Sequence, residues 1–155
     1  MAPNPQPVDL GILLAIAYGQ LVRELRADLA ERGFDDLGRS DGYVFRALDA
    51  AAMTTSDLAE RLHISKQGAA QIVADMHARG YVERHPDPDD RRAQRLRLSS
   101  RGQRALAAAR EFHERYERRL KRAYGADRVR QLRSLLSAMA GAGPGLDPDL
   151  RALYL

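Results

Sequence analysis

One segment of this chain, residues 55 to 102, limits the possible folds more than any other because its local patterns follow a fixed order. Two short helical patterns come first, and they are followed by a β-prone run, a charged turn and a second β-prone run. This order predicts a winged helix-turn-helix, in which a β-hairpin (the wing) follows a pair of helices. The flanking apolar patterns are helical, so we expect a mainly α fold (α+β) with a small β-hairpin wing.

The second helix of the motif divides into a buried face and an exposed face. Ser65 is suited to cap its N-terminus and Gly80 to end it. An apolar stripe at helical spacing predicts the buried face: Ala69, Ile72, Val73 and Met76. The N-terminal half of the exposed face carries the candidate DNA contacts, which are Ser65, Lys66, Gln67, Ala70 and Gln71.

These residue types suit the major groove of DNA. A glutamine amide can donate to and accept from adenine, and a lysine or the free N–H groups at a helix N-terminus can bind a phosphate. Taken alone, the pattern slightly favours an ordinary amphipathic surface helix, because lysine and glutamine are common on any solvated face.

The charged turn favours DNA over that alternative. Two β-prone runs, Tyr81–His85 and Arg95–Leu98, enclose a turn rich in aspartate and proline, and the second run alternates with period two. Arg91 and Arg92 should lie near the tip, where a guanidinium can bind phosphate or enter a narrow minor groove while Asp90 holds it in position. A solvated turn with self-neutralising ion pairs is the weaker interpretation. The candidate phosphate contacts are Lys66, Arg91, Arg92 and Arg95.

These motifs resemble the MarR (multiple antibiotic resistance regulator) family of bacterial transcription factors over nearly all of residues 8 to 140. The resemblance is carried by SDLAERLHIS, IVADMHARGYVER and especially DPDDRRAQRLRLSSRG. The last segment matches the family's pattern of Asp, any residue, Arg, a strand, then Leu, Thr or Ser, two residues and Gly. Those positions are Asp90, Arg92, Leu98, Ser99 and Gly102.

The resemblance implies that Arg92 is the wing arginine placed in the minor groove and that Asp90 helps to shape the wing. The chain departs from the family at Gly68 and Ala70, where relatives often carry small hydroxyl residues. We therefore expect fewer base contacts from these positions, since the Ala70 methyl group can touch only a thymine methyl group.

Composition agrees with a polyanionic partner. The 155 residues have a sequence pI of about 9.7, and the charge is uneven: residues 1 to 60 carry 5 basic and 10 acidic side chains, whereas residues 101 to 130 carry 10 and 4. The absence of cysteine excludes disulfides and a thiol switch. The start of the chain lacks a positively charged region, and the uncharged run from Leu10 to Val22 is too short to span a bilayer, so we expect a cytoplasmic protein.

The helical patterns outside the wing predict a dimerisation frame. The pattern from Val8 to Leu29 is apolar all round in its first turns, which requires cover on every side. Two further helices are expected, from about Ser100 to Tyr124 and around Val129 to Met139. We predict one MarR-like domain over residues 1–155, with its DNA-binding lobe at 36–99, dimerisation helices at 8–33 and 100–140, and a tail at 141–155. The apolar end of the tail could strap a neighbouring subunit or fray.

The predicted partner is double-stranded DNA with an inverted-repeat operator, bound by a homodimer whose recognition helices face half-sites about ten base pairs apart. The resemblance implies a repressor or activator that responds to a small aromatic or amphipathic effector. The candidate effector pocket consists of Tyr18, Tyr43, Arg46, Phe112 and Tyr116. Each of these also fits a plain role in the core or at an interface.

No enzymatic constellation is present in the sequence. The four histidines lack metalloprotease spacing. Ser99 and Ser100 lead into a helix and suit helix caps, and the glycines of the tail precede no helix that could bind a phosphate. We predict no catalytic residue, metal or cofactor, although His113 with Glu117 one turn later could contribute to a metal sensor. The alternative function is a winged-helix module that binds protein, or nucleic acid without sequence preference.

Overall fold

The computed structural model describes residues 8–88 and 93–140. Within these ranges the predicted fold, mainly helical with one antiparallel hairpin, is confirmed. The elements are α1 (Leu10–Glu31), α2 (Asp41–Ala50), α3 (Thr55–Arg61), α4 (Lys66–Ala78), β1 (Val82–Pro86), β2 (Gln94–Leu98), α5 (Ser100–Tyr124) and α6 (Ala126–Met139). The chain divides into two compact units between Asp35 and Asp36, the first holding α1 and the second all the other elements.

The core of the second unit is formed by α2, α3, α4, the hairpin and the first half of α5. Its largest fully buried side chains are Tyr81, Leu58, Leu62, Met76, Leu96, Val44, Val73 and Val82. Phe45 packs edge-on against Tyr81, with 5.6 Å between the ring centroids. Because each fully buried large apolar side chain contributes roughly 1.5–3 kcal/mol, this core is the main source of stability for the lobe that carries α4.

The helix-turn-helix formed by α3 and α4 is defined by two caps. Thr54 caps α3 in a capping box, in which its hydroxyl accepts from the N–H of Asp57 and the Asp57 carboxylate accepts from the N–H of Thr54. Ser65 caps α4 by accepting from the N–H of Gly68 at 3.0 Å. At the other end, Gly80 has a positive φ of 75°, which glycine adopts without strain. The predicted start and end of this helix are therefore confirmed.

The hairpin is antiparallel, and its register pairs Val82 with Leu98 and Pro86 with Gln94. Strand β2 also pairs with the segment before α3: Leu96 donates its N–H to the carbonyl of Met53 at 2.8 Å. Strand β1 begins at Val82, one residue later than the predicted run, which began at Tyr81. These backbone pairs attach the base of the wing to the helix-turn-helix.

Helix α5 runs from Ser100 to Tyr124 as predicted, and Gly125, with φ of 93°, separates it from α6. Ser99 is its cap and accepts from the N–H of Gly102 at 3.0 Å, whereas Ser100 is the first helical residue. A cap at Ser100 was also expected, and that part of the prediction is wrong because Ser99 already has the extended backbone that a cap requires.

Helix α1 has 22 residues and carries exposed apolar side chains along its first half, with Leu10 exposed by 65 % and Ile16 by 59 %. In the second unit, α6 exposes a further apolar set: Leu132, Leu135, Leu136 and Met139. Within the described ranges, no helix combines the length and the apolar character that crossing a membrane would require. The predicted tail, residues 141–155, lies outside the described residues.

Candidate nucleic-acid interface

The face of α4 that points away from the core has the composition predicted for it. Ala69, Val73 and Met76 are fully buried, whereas the residues of the opposite face are exposed: Ser65, Lys66, Gln67, Ala70, Gln71 and Ala74. The cap at Ser65 uses one N–H group of the first turn, and the partial positive charge of a helix N-terminus remains directed outward. The N-terminal half of α4 therefore offers amide, ammonium and backbone donors on one solvated surface.

Gly68 has a structural role in this first turn. A Cβ atom at this position would be 3.1 Å from the hydroxyl oxygen of Ser65, closer than ordinary contact. A side chain there would crowd the capping hydroxyl, so glycine at residue 68 allows the Ser65 cap to form without displacement.

The tip of the wing, residues 89–92, lies outside the described residues, and so do the predicted contacts Asp90, Arg91 and Arg92. The base of the wing is described and is held by an ion pair. Arg95 donates from Nε to the carboxylate of Asp87 at 2.6 Å, and Asp87 is buried. The N–H of Asp87 also donates to the carbonyl of Ala93 at 3.0 Å. Arg95 thus anchors the hairpin, and a phosphate contact from Arg95 stays a prediction.

The ion pair between Arg95 and Asp87 lies near the start of α3. The hydrogen bond from the backbone N–H of Thr54 is the largest cause of a lowered pKa at Asp57, and the positive charge of Arg95 acts in the same direction. The pKa shift indicates that the capping carboxylate of α3 and the guanidinium of the wing are electrostatic neighbours. The carboxylate of Asp87 acts in the opposite direction on the pKa of Asp57, so the two charges of the wing base partly offset each other at α3.

Two basic residues of the hairpin, Arg84 and Arg97, were not singled out from the sequence. Both are exposed in the structure, and Arg97 pairs in register with Glu83. The period-two alternation of β2 could have identified Arg97 as an outward-facing cation, whereas Arg84 is in register with the buried Leu96 and its exposure does not follow from the alternation. Both add exposed positive charge to the hairpin.

A cluster of four residues, which we call the clamp, joins the end of α4 to the start of α5: Asp36, Arg79, Tyr81 and Arg101. Arg101 donates from Nη2 to the Asp36 carboxylate at 3.1 and 3.3 Å, and from Nη1 to the carbonyl of Arg79 at 2.8 Å. Its guanidinium lies over the ring of Tyr81, 4.5 Å from the centroid, and the Tyr81 hydroxyl donates to Asp36. No local sequence pattern links these residues, so the sequence alone does not predict the cluster.

The clamp extends to the first turn of α2 through Arg79. Its Nη1 donates to the backbone carbonyl of Asp36 at 2.7 Å and to the carboxylate of Asp41 at 2.6 Å. Asp41 is buried and also accepts from the N–H of Gly38 at 2.8 Å. These bonds fix the loop before α2 onto the C-terminal end of α4, and the bond with Asp41 raises the pKa of Arg79.

Electrostatics keep the clamp in one protonation state at neutral pH. Burial raises the pKa of Asp36, but the hydrogen bond from Tyr81 and the positive charges of Arg101 and Arg79 outweigh it, so the pKa is lowered. Burial, followed by the bond to Asp36, raises the pKa of Tyr81 to about 12. The carboxylate is therefore ionised and the phenol neutral, which is the combination that these hydrogen bonds need.

Four of the five candidate effector residues lie in the second unit. Phe112 is buried and contacts Tyr116, with 5.8 Å between ring centroids, and Tyr43 is half-buried on α2. Arg46 lies near α5, because its charge adds to burial in lowering the pKa of His113. The fifth, Tyr18, is exposed on α1 in the first unit.

An apolar groove lies elsewhere, between the end of α5 and α6, and includes none of these candidate residues. Its lining residues are Leu120, Tyr124, Arg128, Val129 and Leu132. Glu117, the suggested partner of His113 in a metal sensor, instead accepts hydrogen bonds from Lys121 and Arg133. Across residues 8–88 and 93–140 there is no group of three or more side chains suited to hold a metal ion.

Comparison with known proteins connects this geometry to one family. A sequence model described as the MarR family matches residues 35–93, which run from the loop before α2 to the hairpin. A curated relative, the exopolysaccharide II synthesis transcriptional activator ExpG of Rhizobium meliloti (strain 1021), is 29% identical over 96 residues, or 62% of this chain. The chain spans about half the length of that relative, because the match covers 50% of it.

Solved structures resemble the chain over most of its length. The transcriptional repressor CouR bound to a 23-mer DNA duplex has a TM-score of 0.67 at 27% identity, covering 85% of this chain and 92% of that one. Streptococcus pneumoniae FabT in complex with DNA has a TM-score of 0.69 at 19% identity, with coverage of 84% and 92%. Wild-type MarR from E. coli in its apo form has a TM-score of 0.63 at 22% identity, with coverage of 86% and 98%. The last two establish likeness of fold.

Proposed function

We propose that the chain is a MarR-family, DNA-binding transcriptional regulator that recognises an inverted-repeat operator as a homodimer. The observation that carries the proposal is the exposed N-terminal half of α4, which presents Lys66, Gln67 and Gln71 beside an anchored basic hairpin. CouR, at 27% identity, was solved bound to a DNA duplex, which supports the same partner for this chain.

The proposed contacts divide into base recognition and phosphate binding. Gln67 and Gln71 would hydrogen-bond to base edges in the major groove, and the Ala70 methyl group would contact a thymine methyl group. Lys66, the cap at Ser65 and the wing arginines would bind phosphates and position the helix without specifying sequence. The proposed phosphate and minor-groove contacts of the wing are Arg91, Arg92 and Arg95, with Asp90 supporting the wing.

The homodimer is supported by the apolar side chains that a single chain leaves in contact with water. Ile16 and Leu10 on α1, and Leu135 and Met139 on α6, are each exposed by more than half of their surface. Monomeric proteins rarely keep large apolar patches exposed, and a second copy of this chain would cover each of these two sets. Two recognition helices about 34 Å apart would then match half-sites one helical turn apart. A partner on promoter DNA implies that the protein acts in the cytoplasm.

We further propose that a small aromatic or amphipathic effector regulates DNA binding, through the candidate residues Tyr18, Tyr43, Arg46, Phe112 and Tyr116. The aromatic pair Phe112 and Tyr116, with the cationic Arg46 nearby on α2, has the chemistry for such a molecule. An effector that prefers a dimer spacing incompatible with the operator would lower DNA affinity, and only by its differential affinity for the two states.

An electrophoretic mobility shift across a salt series tests the central proposal. The probes are the promoter of the protein's own gene and random DNA of equal length. A regulator of this class should favour its operator by orders of magnitude, and its affinity should fall with salt at a slope of roughly −0.9 per phosphate contacted. Equal and salt-steep binding to both probes would support an unselective DNA-binding module instead. Absence of binding to a genome-wide set of promoter fragments would contradict the proposal.

A further inference from the structure

We infer that Arg101 is a positioning residue for DNA recognition: through the clamp it fixes the angle between the recognition helix α4 and helix α5. This inference rests on the proposed function. Arg101 lies on α5, yet its side chain bonds to the C-terminal end of α4 at Arg79 and to the loop before α2 at Asp36, and it covers the ring of Tyr81. A single side chain therefore connects three separate pieces of the lobe.

The chemistry of the clamp requires an arginine. Two nitrogen atoms of one planar guanidinium donate in different directions, one to the carbonyl of Arg79 and the other to the Asp36 carboxylate, while the flat face stacks on Tyr81. The ammonium group of a lysine is a point charge and cannot make this combination of contacts in one geometry. The bonds are directional, so they specify an orientation as well as a distance.

The rest of the α4 interface is mainly apolar packing, to which the clamp adds directional bonds. The buried stripe begins with the small side chain of Ala69 and continues with Val73, and apolar packing has no preferred direction. Met76 is the largest buried residue of the helix and lies near the clamp end. The clamp therefore adds a directional contact at the end of α4 opposite to Gln67 and Gln71.

The length of α4 determines how far its N-terminal end moves when the helix tilts at the clamp. Helix α4 has 13 residues and is about 20 Å long at 1.5 Å per residue. A tilt of about 5° at the clamp would move the N-terminal end by on the order of 2 Å, which exceeds the tolerance of a hydrogen bond between a glutamine amide and a base edge. Loss of the clamp should therefore reduce sequence-specific binding more than binding to phosphates, since long cationic side chains can follow a displaced backbone.

A matched pair of α5 variants separates positioning from stability. Arg101→Met keeps an unbranched side chain beside Tyr81 and removes the guanidinium with its hydrogen bonds. The control is Arg110→Met, which removes the same charge from the same helix and breaks the 2.6 Å ion pair with Asp49, a contact that involves neither α4 nor Tyr81. For both variants we would measure the free energy of unfolding, the oligomeric state and the dissociation constants for operator and random DNA, corrected for the active fraction.

We expect Arg101→Met to lower the ratio of operator affinity to random-DNA affinity by about tenfold or more, the size of one lost base contact, and Arg110→Met to change it less than about twofold. Asp36→Asn, which keeps the side-chain shape, should lower the ratio in the same direction and serves if Arg101→Met does not fold. The double variant should be no worse than the stronger single variant, because both changes remove the same interaction. An unchanged ratio in Arg101→Met or Asp36→Asn, with only stability reduced, would overturn the inference.

A distance measurement on DNA-free protein distinguishes failure of this inference from failure of the proposed function. The chain has no native cysteine, so spin labels at Ala70→Cys on α4 and Ala107→Cys on α5 report one distance when labelled protein is diluted with unlabelled protein. Arg101→Met should broaden this distance or shift it by on the order of 1 Å, because Ala70 is about 13 Å from Arg79 along the helix, and Arg110→Met should not. An unchanged distance overturns the inference alone, whereas a wild-type protein that does not discriminate between DNA sequences overturns the proposed function.

Discussion

Gly102 on α5 lies directly against the backbone carbonyl oxygen of Tyr81, so closely that a Cβ atom on residue 102 would overlap it. The same carbonyl accepts a hydrogen bond from the N–H of Ser99 at 3.0 Å, and the Ser99 hydroxyl donates to the carbonyl of Gly80 at 2.6 Å. The first turn of α5 is therefore attached to the turn after α4 by backbone contacts that leave no room for a side chain.

Substitution of Gly102 should consequently be costly although the residue is helical. In Gly102→Ala the new methyl group must displace the Tyr81 carbonyl, and overpacking of this kind costs about 1–3 kcal/mol of the free energy of unfolding. The matched control is Gly42→Ala on α2, where the added Cβ meets open space and helix propensity favours alanine by up to about 1 kcal/mol. Urea denaturation of both variants should give changes of opposite sign, and equal stabilities would contradict the close approach.

Tyr81 should ionise only at strongly alkaline pH. Burial, and then its hydrogen bond to Asp36, raise its pKa to about 12 from the ordinary value of 10.0. The native state thus holds this proton more tightly than the unfolded state, so the stabilisation is complete below pH 10 and is lost as the pH rises through 12, by roughly 2–3 kcal/mol. An absorbance titration of phenolate at alkaline pH should contain one late transition that is absent in Tyr81→Phe. A wild-type titration without it would contradict the buried phenol–carboxylate bond.

The lobe around α4 could be predicted because the signals that define it are local. The cap at Ser65, the turn at Gly80 and the period-two burial of Leu96 and Leu98 each depend on residues within a few positions of one another. The exposed faces that follow from these periods were correct for the same reason. Patterns of this kind predict which side of an element is buried, but they do not identify the partner that covers it.

The clamp could not be predicted in the same way. Arg101 and Asp36 are 65 residues apart, and a charged residue beside an apolar run indicates solvent exposure as readily as a partly buried ion pair. The ion pair between Arg95 and Asp87 was missed for a related reason: the repeated arginines of the hairpin look equivalent in sequence, and only the fold selects the one that faces a buried carboxylate. The expected roles of Asp90, Arg91 and Arg92 fall outside the described residues and stay predictions.

Removal of the carboxylate at Asp87 should loosen the wing while leaving the helices intact. Asp87→Ala removes the carboxylate that accepts from the Nε group of Arg95, and because Arg95 is partly exposed and water can replace this partner, the loss should cost about 1 kcal/mol or less. We expect faster amide exchange at Gln94 to Leu98 and weaker DNA binding, both measurable on one preparation. The control is Asp49→Ala, which breaks a more exposed ion pair with Arg110 away from the hairpin. Unchanged exchange in β2 would exclude the anchoring role of Asp87.

Base recognition by Gln71 predicts a loss that depends on sequence. Gln71→Ala should weaken binding to the operator by about 1–3 kcal/mol if the amide makes a bidentate contact, and should relax the preference at one base-pair position in each half-site. The salt slope should not change, since no charge is removed. Gln131→Ala, an exposed glutamine on α6, is the control and should bind the operator like the wild type. A uniform loss of affinity across all operator variants would remove Gln71 from the proposed base contacts.

The proposed homodimer predicts that an acidic residue on the apolar face of α6 will separate the subunits. Leu135 is exposed by 63 % in the single chain, and Leu135→Asp would bury a carboxylate in any interface that covers this face. The neighbouring exposed Ser134 provides the control, because Ser134→Asp adds the same charge to the same helix at a polar position. Sedimentation velocity at micromolar concentration should show a dimer for the wild type and Ser134→Asp, and a monomer for Leu135→Asp. The monomer should keep weak binding to random DNA and lose preference for the full operator, because it carries only one recognition helix. A monomeric wild type would contradict the dimer proposal, and a Leu135→Asp dimer would exclude this face of α6 from the interface.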